Sequence, residues 1–323
     1  IVGLYRINAE TTIGGKKLTA HYDIIVKTAD KDWSFKEGKN ENVNFGQKYS
    51  IELPDKEERN VSYSVDNASK NFVTIEGNEL TFTKYTSKSV TVNVKFNGDD
   101  FYKEKTATYT VNCILGSLDN IGGYLTIESE GKVKDKDYNK DVTIFGKGGC
   151  KIAKVDNFDS IVVSEIVWED SITLNENIEN PKFLVKKSDG VILKYTSDIR
   201  IDKNSPSGEI KLFEGSDISR KDLLTTNIEF TNFIQTIDKD SNVPLCVTAK
   251  DDDSNFTSGL NSVQYYVDEP NDITTPLTRE DLETKDWEDT NKQDEYYLVS
   301  APLNKKSVVY IKITDNFNNV TYI

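Results

Sequence analysis

The chain has 323 residues, which suits about two to four β-domains of roughly 80 to 120 residues rather than one small domain. Its net charge of −14 argues against binding to nucleic acid, whose phosphates need a cluster of cations, and equally against binding to an anionic membrane surface. No run of about 20 apolar residues occurs, so we expect no membrane span within these residues.

The start of the chain and its rarest residue types narrow the classes of protein further. It begins at Ile1 and contains no methionine, so we expect a processed or excised piece of a longer protein. Three widely separated cysteines, Cys113, Cys150 and Cys246, do not form a disulfide framework and are interpreted as buried small side chains. A single disulfide bridge between Cys113 and Cys150 is the alternative interpretation. The only histidine is His21, which excludes a zinc site built from cysteine and histidine.

Residues 1–29 alternate between apolar and polar side chains on both sides of a Gly14-Gly15 turn, which predicts a β-hairpin. The motif Thr19-Ala20-His21-Tyr22 recurs as Thr106-Ala107-Thr108-Tyr109, about one sandwich domain further along. We therefore predict that residues 1–29 are the terminal strands of an upstream domain or an N-terminal hairpin.

Residues 30–114 carry short alternating runs at regular spacing, with no competing helical period, and this predicts an all-β domain. The predicted strands are Tyr49–Leu53, Val61–Val65, Val73–Ile75, Leu80–Phe82, Val90–Val94 and Tyr109–Val111.

Residues 115–200 are predicted to form a second β-domain. Its strands are placed at Tyr124–Ile127, Val142–Phe145, Ile161–Val163, Ile172–Leu174 and in a hairpin over Leu184–Leu193.

Residues 201–323 form the third predicted β-domain. It ends in two alternating strands, Val308 to Ile323, around the turn Asp315-Asn316-Phe317-Asn318-Asn319. Two short helical insertions are predicted, at Ser216–Leu224 and at Thr278–Leu282, where Thr278 and Asp281 match a capping box.

Several of these stretches resemble the immunoglobulin-like (Ig-like) repeats of Gram-positive bacterial surface proteins. In the first domain they are Phe45–Tyr49, Tyr63–Val65, Gly98–Glu104 and Thr106–Val111; in the third, Val247–Asp251, Ser258–Leu260, Val263–Val267 and Ile313–Asp315. Ile199–Pro206 is similar to the junction that opens the next module in that family. The resemblance implies tandem Ig-like β-sandwich domains in an extracellular protein, secreted or on the cell surface.

Dense acidic loops in the third domain suggest a calcium site, because calcium takes six to eight oxygen ligands. The candidate ligands are Asp238, Asp240, Asp251, Asp252 and Asp253. A solvated acidic loop of a soluble protein is the alternative interpretation. No EF-hand loop is present.

Aromatic residues in the third domain are the candidate ligand patch, since exposed rings on a β-sheet can stack on sugars. The candidates are Tyr265, Tyr266, Trp287, Tyr296 and Tyr297. For the tryptophans, packing between the two sheets of a sandwich is the alternative.

Enzyme chemistry has little support in the residues, and we predict no catalytic and no cofactor-binding residue. No carboxylate pair stands out among the 54 acids for glycoside hydrolysis. His21 lies on a predicted strand, and Gly146–Cys150 lacks the order of a phosphate-binding loop.

The expected function is that of a non-catalytic stalk or adhesion module, with a host or cell-wall glycan or protein as its partner. A carbohydrate-binding or accessory module of a larger secreted enzyme is the alternative.

Overall fold

The computed structural model describes residues 2–30, 40–51, 61–99, 101–213, 223–224, 242–252, 255–269, 276–302 and 308–323. The fold is all-β, as predicted. The chain divides into two compact units. The first comprises Ile1–Thr126, Phe145–Ile172 and Lys182–Tyr195, and the second comprises Ile127–Ile144, Thr173–Pro181 and Thr196–Ile323.

An N-terminal hairpin opens the first unit and confirms the predicted alternation. Its strands, β1 (Gly3–Ile13) and β2 (Lys16–Val26), pair antiparallel along their whole length. Gly14 and Gly15 have φ of 58° and 80°, as a two-residue turn with left-handed positions requires.

An Ig-like sandwich follows, called here the N-terminal sandwich (residues 40–114). Its strands are β3 (Asn40–Asn44), β4 (Lys48–Ser50), β5 (Val61–Val65), β6 (Val73–Glu76), β7 (Glu79–Phe82), β8 (Val90–Phe96) and β9 (Lys105–Ile114). One sheet has the order β3-β9-β8-β5 and the other β4-β7-β6. When the strands are lettered A′ to G along the chain, these orders read A′-G-F-C and B-E-D, the Ig-like arrangement.

The core of this sandwich follows from the alternation in the sequence. On β8 the side chains of Val90, Val92, Val94 and Phe96 are buried, whereas the intervening residues are half-buried. They share one apolar cluster with Phe82 and the other inward residues of the B-E-D sheet. The strands predicted at Val61–Val65, Val73–Ile75, Leu80–Phe82, Val90–Val94 and Tyr109–Val111 are confirmed. Of the predicted strand Tyr49–Leu53, residues 49–50 belong to β4, Ile51 follows it, and residues 52–53 lie outside the described residues.

Shorter strands fill residues 116–201. They are β10 (Gly116–Ser117), β11 (Leu125–Glu128), β12 (Lys132–Lys134), β13 (Asp137–Tyr138), β14 (Val142–Gly146), β15 (Lys151–Val155), β16 (Ser171–Leu174), β17 (Ile178–Glu179), β18 (Lys182–Lys186), β19 (Ile192–Thr196) and β20 (Arg200–Ile201). The order β10-β19-β18-β15 belongs to the first unit and β12-β13-β20-β17 to the second. Two of these pairs, β10 with β19 and β13 with β20, are parallel.

One strand predicted in this stretch, Ile161–Val163, is wrong. A single bridge joins Val162 to Lys84, and a 3-10 turn over Val163–Glu165 follows at once. A neighbour that pairs at one residue only cannot extend a ladder, whatever the β-propensity of the run. The predicted domain boundaries at 29/30, 114/115 and 200/201 stay a prediction.

The C-terminal sandwich (residues 207–323) has the Ig-like order as well. Its strands are β21 (Ser207–Phe213), β22 (Leu223–Leu224), β23 (Asn242–Lys250), β24 (Leu260–Asp268), β25 (Glu288–Asp289), β26 (Asn291–Gln293), β27 (Tyr296–Pro302), β28 (Val308–Asp315) and β29 (Val320–Tyr322). The orders β22-β21-β23-β27-β26 and β25-β24-β28-β29 contain A-B-E-D and C′-C-F-G. Leu245, Val247 and Val299 of one sheet meet Val263, Ile311 and Ile313 of the other.

The predicted helical insertion at Thr278–Leu282 is confirmed as helix α1 (Arg279–Glu283) between strands C and C′. Thr278 accepts a hydrogen bond from the Asp281 amide, and the Asp281 side chain accepts one from the Thr278 amide. Leu282 is the buried residue of the helix. Of the other predicted insertion, residues 216–222 lie outside the described residues and Leu223–Leu224 are a strand.

The three cysteines are free and buried, which confirms their interpretation as small apolar side chains; the Cys113–Cys150 bridge is not formed. Burial raises the pKa of Cys113 to about 11. In the part of the chain that the structure describes, no helix has the length and hydropathy to cross a membrane.

Candidate functional site

Three aspartates of the second unit form a carboxylate cluster: Asp202, Asp251 and Asp315. One oxygen of each lies within 4.8 Å of the others. Asp202 follows β20, Asp251 follows β23, and Asp315 ends β28, so strand ends far apart in sequence carry them. Asp202 and Asp315 are fully buried and Asp251 is half-buried. Such burial requires partners for every carboxylate.

Asp202 receives its hydrogen bonds from two parts of the second unit. Asn177 Nδ2 donates to Oδ1 at 2.9 Å, and the Ser258 amide donates to Oδ2 at 2.6 Å. Asn177, itself buried, also donates to the Phe256 carbonyl and accepts from the Lys203 amide. This network fastens the β12-β13-β20-β17 sheet to the C-terminal sandwich.

Asp315 organises the closing turn of the C-terminal sandwich. Its Oδ1 accepts from the amides of Phe317 and Asn319, both at 2.8 Å, and its Oδ2 accepts from Asn319 Nδ2 at 2.8 Å. Asn319 Nδ2 also donates to the Asp202 carbonyl at 2.9 Å. The turn that the sequence shows as D-N-F-N-N is thereby joined to the residue that leads into the sandwich.

Asp251 completes the cluster and has fewer partners. Its Oδ2 accepts from the Gly259 amide at 2.7 Å and from Ser258 Oγ at 3.5 Å. Gly259 has φ of 80°, a left-handed conformation that a residue with a Cβ rarely adopts.

The cluster concentrates negative charge where water is scarce. Burial raises the pKa of Asp251, and the charges of Asp202 and Asp315 raise it further. Burial likewise raises the pKa of Asp315, against the lowering effect of its hydrogen bonds. Among the described residues, no lysine or arginine makes an ion pair with any of the three. A proton or an oxygen-seeking cation such as calcium would relieve the repulsion.

The predicted calcium ligands are only partly brought together. Asp251 belongs to the cluster, whereas Asp252 is exposed and pairs with Lys250 at 2.5 Å. Asp238, Asp240 and Asp253 lie outside the described residues. The sequence did not single out Asp202 and Asp315 as candidate ligands, although both stand in stretches that it did single out, the junction before Pro206 and the closing turn.

Two of the predicted patch aromatics meet on the outer face of the C–F–G sheet. The rings of Tyr266 and Trp287 have their centroids 6.2 Å apart. Tyr310 and Tyr322, which the sequence did not single out, extend the group at 6.5 Å from Tyr266 and 5.6 Å from Trp287. These four residues are called the aromatic face.

The other predicted aromatics do not join them. Tyr265 and Tyr297 pack against the core of the sandwich. The Tyr265 hydroxyl donates to Glu288 at 2.5 Å, and the ammonium of Lys292 lies over the Tyr297 ring. Tyr296 is half-buried next to Tyr297 on β27. The five predicted residues therefore do not make one patch.

Cations already lie over the aromatic face. Lys285 lies 5.3 Å from the Tyr266 centroid, Lys312 lies 5.8 Å from that of Trp287, and Arg279 lies 5.7 Å from that of Tyr322. A sugar that stacked on these rings would have to displace side chains whose cation–π contacts contribute up to about 1 kcal/mol each. Beside the rings, a cavity of about 550 Å³ lies under α1. Its lining includes Leu277, Arg279, Leu282, Tyr310 and Tyr322.

No protein-family model matches the chain, and no curated protein matches it. Similar solved structures include the human desmocollin-1 ectodomain at 11% identity, covering 99% of this chain and 64% of that one, with a TM-score of 0.21. Protocadherin gamma B2 cadherin domains 1–5 match at 10% identity, with the same coverage and TM-score.

A Dscam isoform matches at 10% identity, covering 98% of this chain and 78% of that one, with a TM-score of 0.23. The chain spans 64% of the length of the desmocollin and protocadherin chains. The Ig-like assignment rests on the strand order of the two sandwiches.

Because the pKa of Asp251 is raised, the cluster should carry a cost in the free energy of unfolding that grows with pH. A carboxyl whose folded pKa lies above its unfolded value of about 3.9 destabilises the fold as the pH rises through the folded pKa. Asp251→Asn removes that cost and keeps an oxygen for the Gly259 amide. In chelator, we expect the variant to gain unfolding free energy over the wild type at pH 7, and a smaller gain near pH 4.5.

Urea unfolding of both proteins at the two pH values measures this difference. Asp252→Asn, which removes an exposed carboxylate next in sequence, is the matched control and should show no such pH-dependent gain. A difference between Asp251→Asn and the wild type that does not change with pH would contradict the electrostatic account.

Proposed function

We propose that the chain is a non-catalytic extracellular region that holds other parts of a surface protein at a fixed distance, as a stalk or as a presentation module. The observation that supports this most is the buried network around Asp202. It joins the C-terminal sandwich to the sheet before it through Asn177, Ser258 and Asn319.

The connection between the C-terminal sandwich and the β12-β13-β20-β17 sheet is called here the joint. Its chemistry suits a role in bearing load. A buried carboxylate that loses one partner costs roughly 1 to 3 kcal/mol, so the donors of Asp202 resist separation of the two parts. Pro206 limits the connecting backbone further because its ring fixes φ. A joint with these properties transmits orientation from one element to the next, which a flexible linker does not.

Sequence motifs support a more specific location and partner. The resemblance of Gly98–Val111 and Ile199–Pro206 to Gram-positive surface repeats supports a cell-wall or cell-surface location. It also supports a host or cell-wall glycan or protein as the partner of the whole molecule. If the chain were an accessory part of a larger secreted enzyme, the full-length gene would encode a catalytic domain.

Calcium is the ion that we propose for the carboxylate cluster. Three carboxylates that pair with no cation in the described part of the chain offer hard oxygen ligands only, the type that calcium selects. Carbonyls and water would have to supply the remaining ligands. Calcium bound there would strengthen the joint, because a ligand that binds only the folded state stabilises it by mass action.

The stalk proposal predicts that Asn177 protects the joint. Asn177→Ala removes two donated hydrogen bonds and one accepted bond, and we expect trypsin to cut after Lys203 at least about tenfold faster, equivalent to ~1.4 kcal/mol of local opening. Mass spectrometry of the fragments gives the rate at this site. Asn157→Ala, in an exposed turn of the first unit, is the control. Equal rates in both variants would contradict a locked joint.

The calcium proposal predicts a rise in the melting temperature of wild-type protein in millimolar calcium relative to chelator. At a concentration 100 times the dissociation constant the gain is about 2.7 kcal/mol. Asp251→Asn should lose most of the shift, and Asp252→Asn should keep it. If calcium does not change the melting temperature, the calcium proposal is contradicted, whereas the stalk proposal is not affected.

A glycan-binding module is the second candidate function, favoured by the aromatic face. It predicts binding on a glycan array that Trp287→Ala abolishes and that Trp168→Ala, a tryptophan packed in the first unit, retains. The stalk proposal predicts no specific glycan for either protein. Binding lost only with Trp287→Ala would favour the second candidate.

A further inference from the structure

The N-terminal hairpin leaves a large apolar surface in water. Apart from Gly3, all residues of β1 and β2 are exposed. Ile7 is 55% exposed and Tyr22 is 70% exposed. A lone two-stranded hairpin is marginally stable in water, and an open ladder edge invites another strand. Twenty-two residues arranged in this way have the properties of an incomplete sheet.

The two faces of the hairpin differ in chemistry. Residues paired across the ladder share a face, and one face holds the pairs Tyr5/Ile24, Ile7/Tyr22 and Ala9/Ala20. The other face holds the Arg6–Asp23 ion pair, with bonds of 2.7 and 2.9 Å, and the Glu10–Lys17 ion pair at 2.8 Å. The hairpin is therefore built to bury one side and to expose the other.

The buried hairpin of the N-terminal sandwich, β8–β9, shows the same pattern in the same register. Superposing the two Thr-Ala-x-Tyr motifs places the Tyr5/Ile24 pair on Val90/Val111. Val90 and Val111 are 1% and 0% exposed at the centre of the sandwich. Ile7/Tyr22 falls on Val92/Tyr109 and Ala9/Ala20 on Val94/Ala107. Val92, Val94 and Ala107 are buried in the sandwich.

The outward pairs agree as well. Arg6/Asp23 falls on Thr91/Thr110, and Asn8/His21 falls on Asn93/Thr108. The pair Leu4/Ile25 departs from the pattern, because Ser89 and Asn112 occupy that place in the N-terminal sandwich. Agreement of both faces over successive pairs identifies the hairpin with strands F and G.

We infer that the N-terminal hairpin is the F–G hairpin of a further Ig-like sandwich. The occupant of its apolar face is the set of strands A′ to E of that sandwich, supplied by residues that precede Ile1 in the polypeptide. By analogy with β5 and β3, strand C pairs antiparallel with β1 and strand A′ pairs parallel with β2. Strands B, D and E cover Tyr5, Ile7, Tyr22 and Ile24.

A second copy of the chain fits this surface less well. Two hairpins packed face to face would cover the apolar side chains and leave all four ladder edges open. The contact would also bring together two chains of net charge −14, which repel each other.

The experiment compares residues 1–323 with a version extended by the roughly 90 residues that the gene encodes before Ile1, about one domain of this kind. Hydrogen exchange of peptides from β1 and β2 should be slowed on the order of 100-fold in the extended protein. Residues 1–323 should sediment as a monomer.

Substitutions on the two faces separate docking from a general loss of folding. In the extended protein, Ile24→Asp should abolish one unfolding transition and the slow exchange, while residues 40–323 keep theirs. Thr12→Asp, on the outward face opposite Lys17, should change neither. The inference is overturned if the hairpin exchanges equally fast in both versions. It is also overturned if residues 1–323 form a dimer that Ile24→Asp dissociates, or if the gene encodes no such domain before Ile1.

Discussion

The second unit depends on buried carboxylates that are held by neutral donors. Asp202 and Asp315 are fully withdrawn from water. Asp202 accepts from Asn177 and from the Ser258 amide, which lie in other loops, whereas Asp315 accepts from Phe317 and Asn319 of its own turn. The bonds from Asn177 and Ser258 to Asp202, and from Asn319 to the Asp202 carbonyl, each require two separate segments to be in place at once, so they specify a single arrangement. The aspartates therefore connect the folding of the C-terminal sandwich to the orientation of the sheet before it.

The sequence predicted the sandwiches well because their signals are local. In Val90–Phe96 a period of two places every other side chain in the core, and Gly14-Gly15 or Asp315–Asn319 specify a turn by their own chemistry. The strand predicted at Ile161–Val163 was wrong because this stretch, despite its strand propensity, pairs with its neighbour at one residue only. Pairing between short strands is decided by tertiary contacts, which residue patterns do not contain.

The candidate site was less predictable for a related reason. Acid density along the chain pointed to Asp251 and also to Asp252, and only the fold reveals that one carboxylate turns inward and the other meets Lys250 in water. The partners of Asp251 come from positions more than 40 residues away, at residues 202 and 315. Such a cluster has no spacing rule for a sequence to display. Asp202 and Asp315 were noticed as parts of fold motifs, and their buried positions give those motifs a physical reason.

The amides that donate to the buried carboxylates form a closed network. Native-state hydrogen exchange by NMR tests at single residues whether this network is closed. The amides of Ser258, Gly259, Phe317 and Asn319 should exchange as slowly as those of the core strand β28, and with the same dependence on denaturant. Exchange of these four amides at the rate of an open loop, while β28 stays protected, would contradict the account.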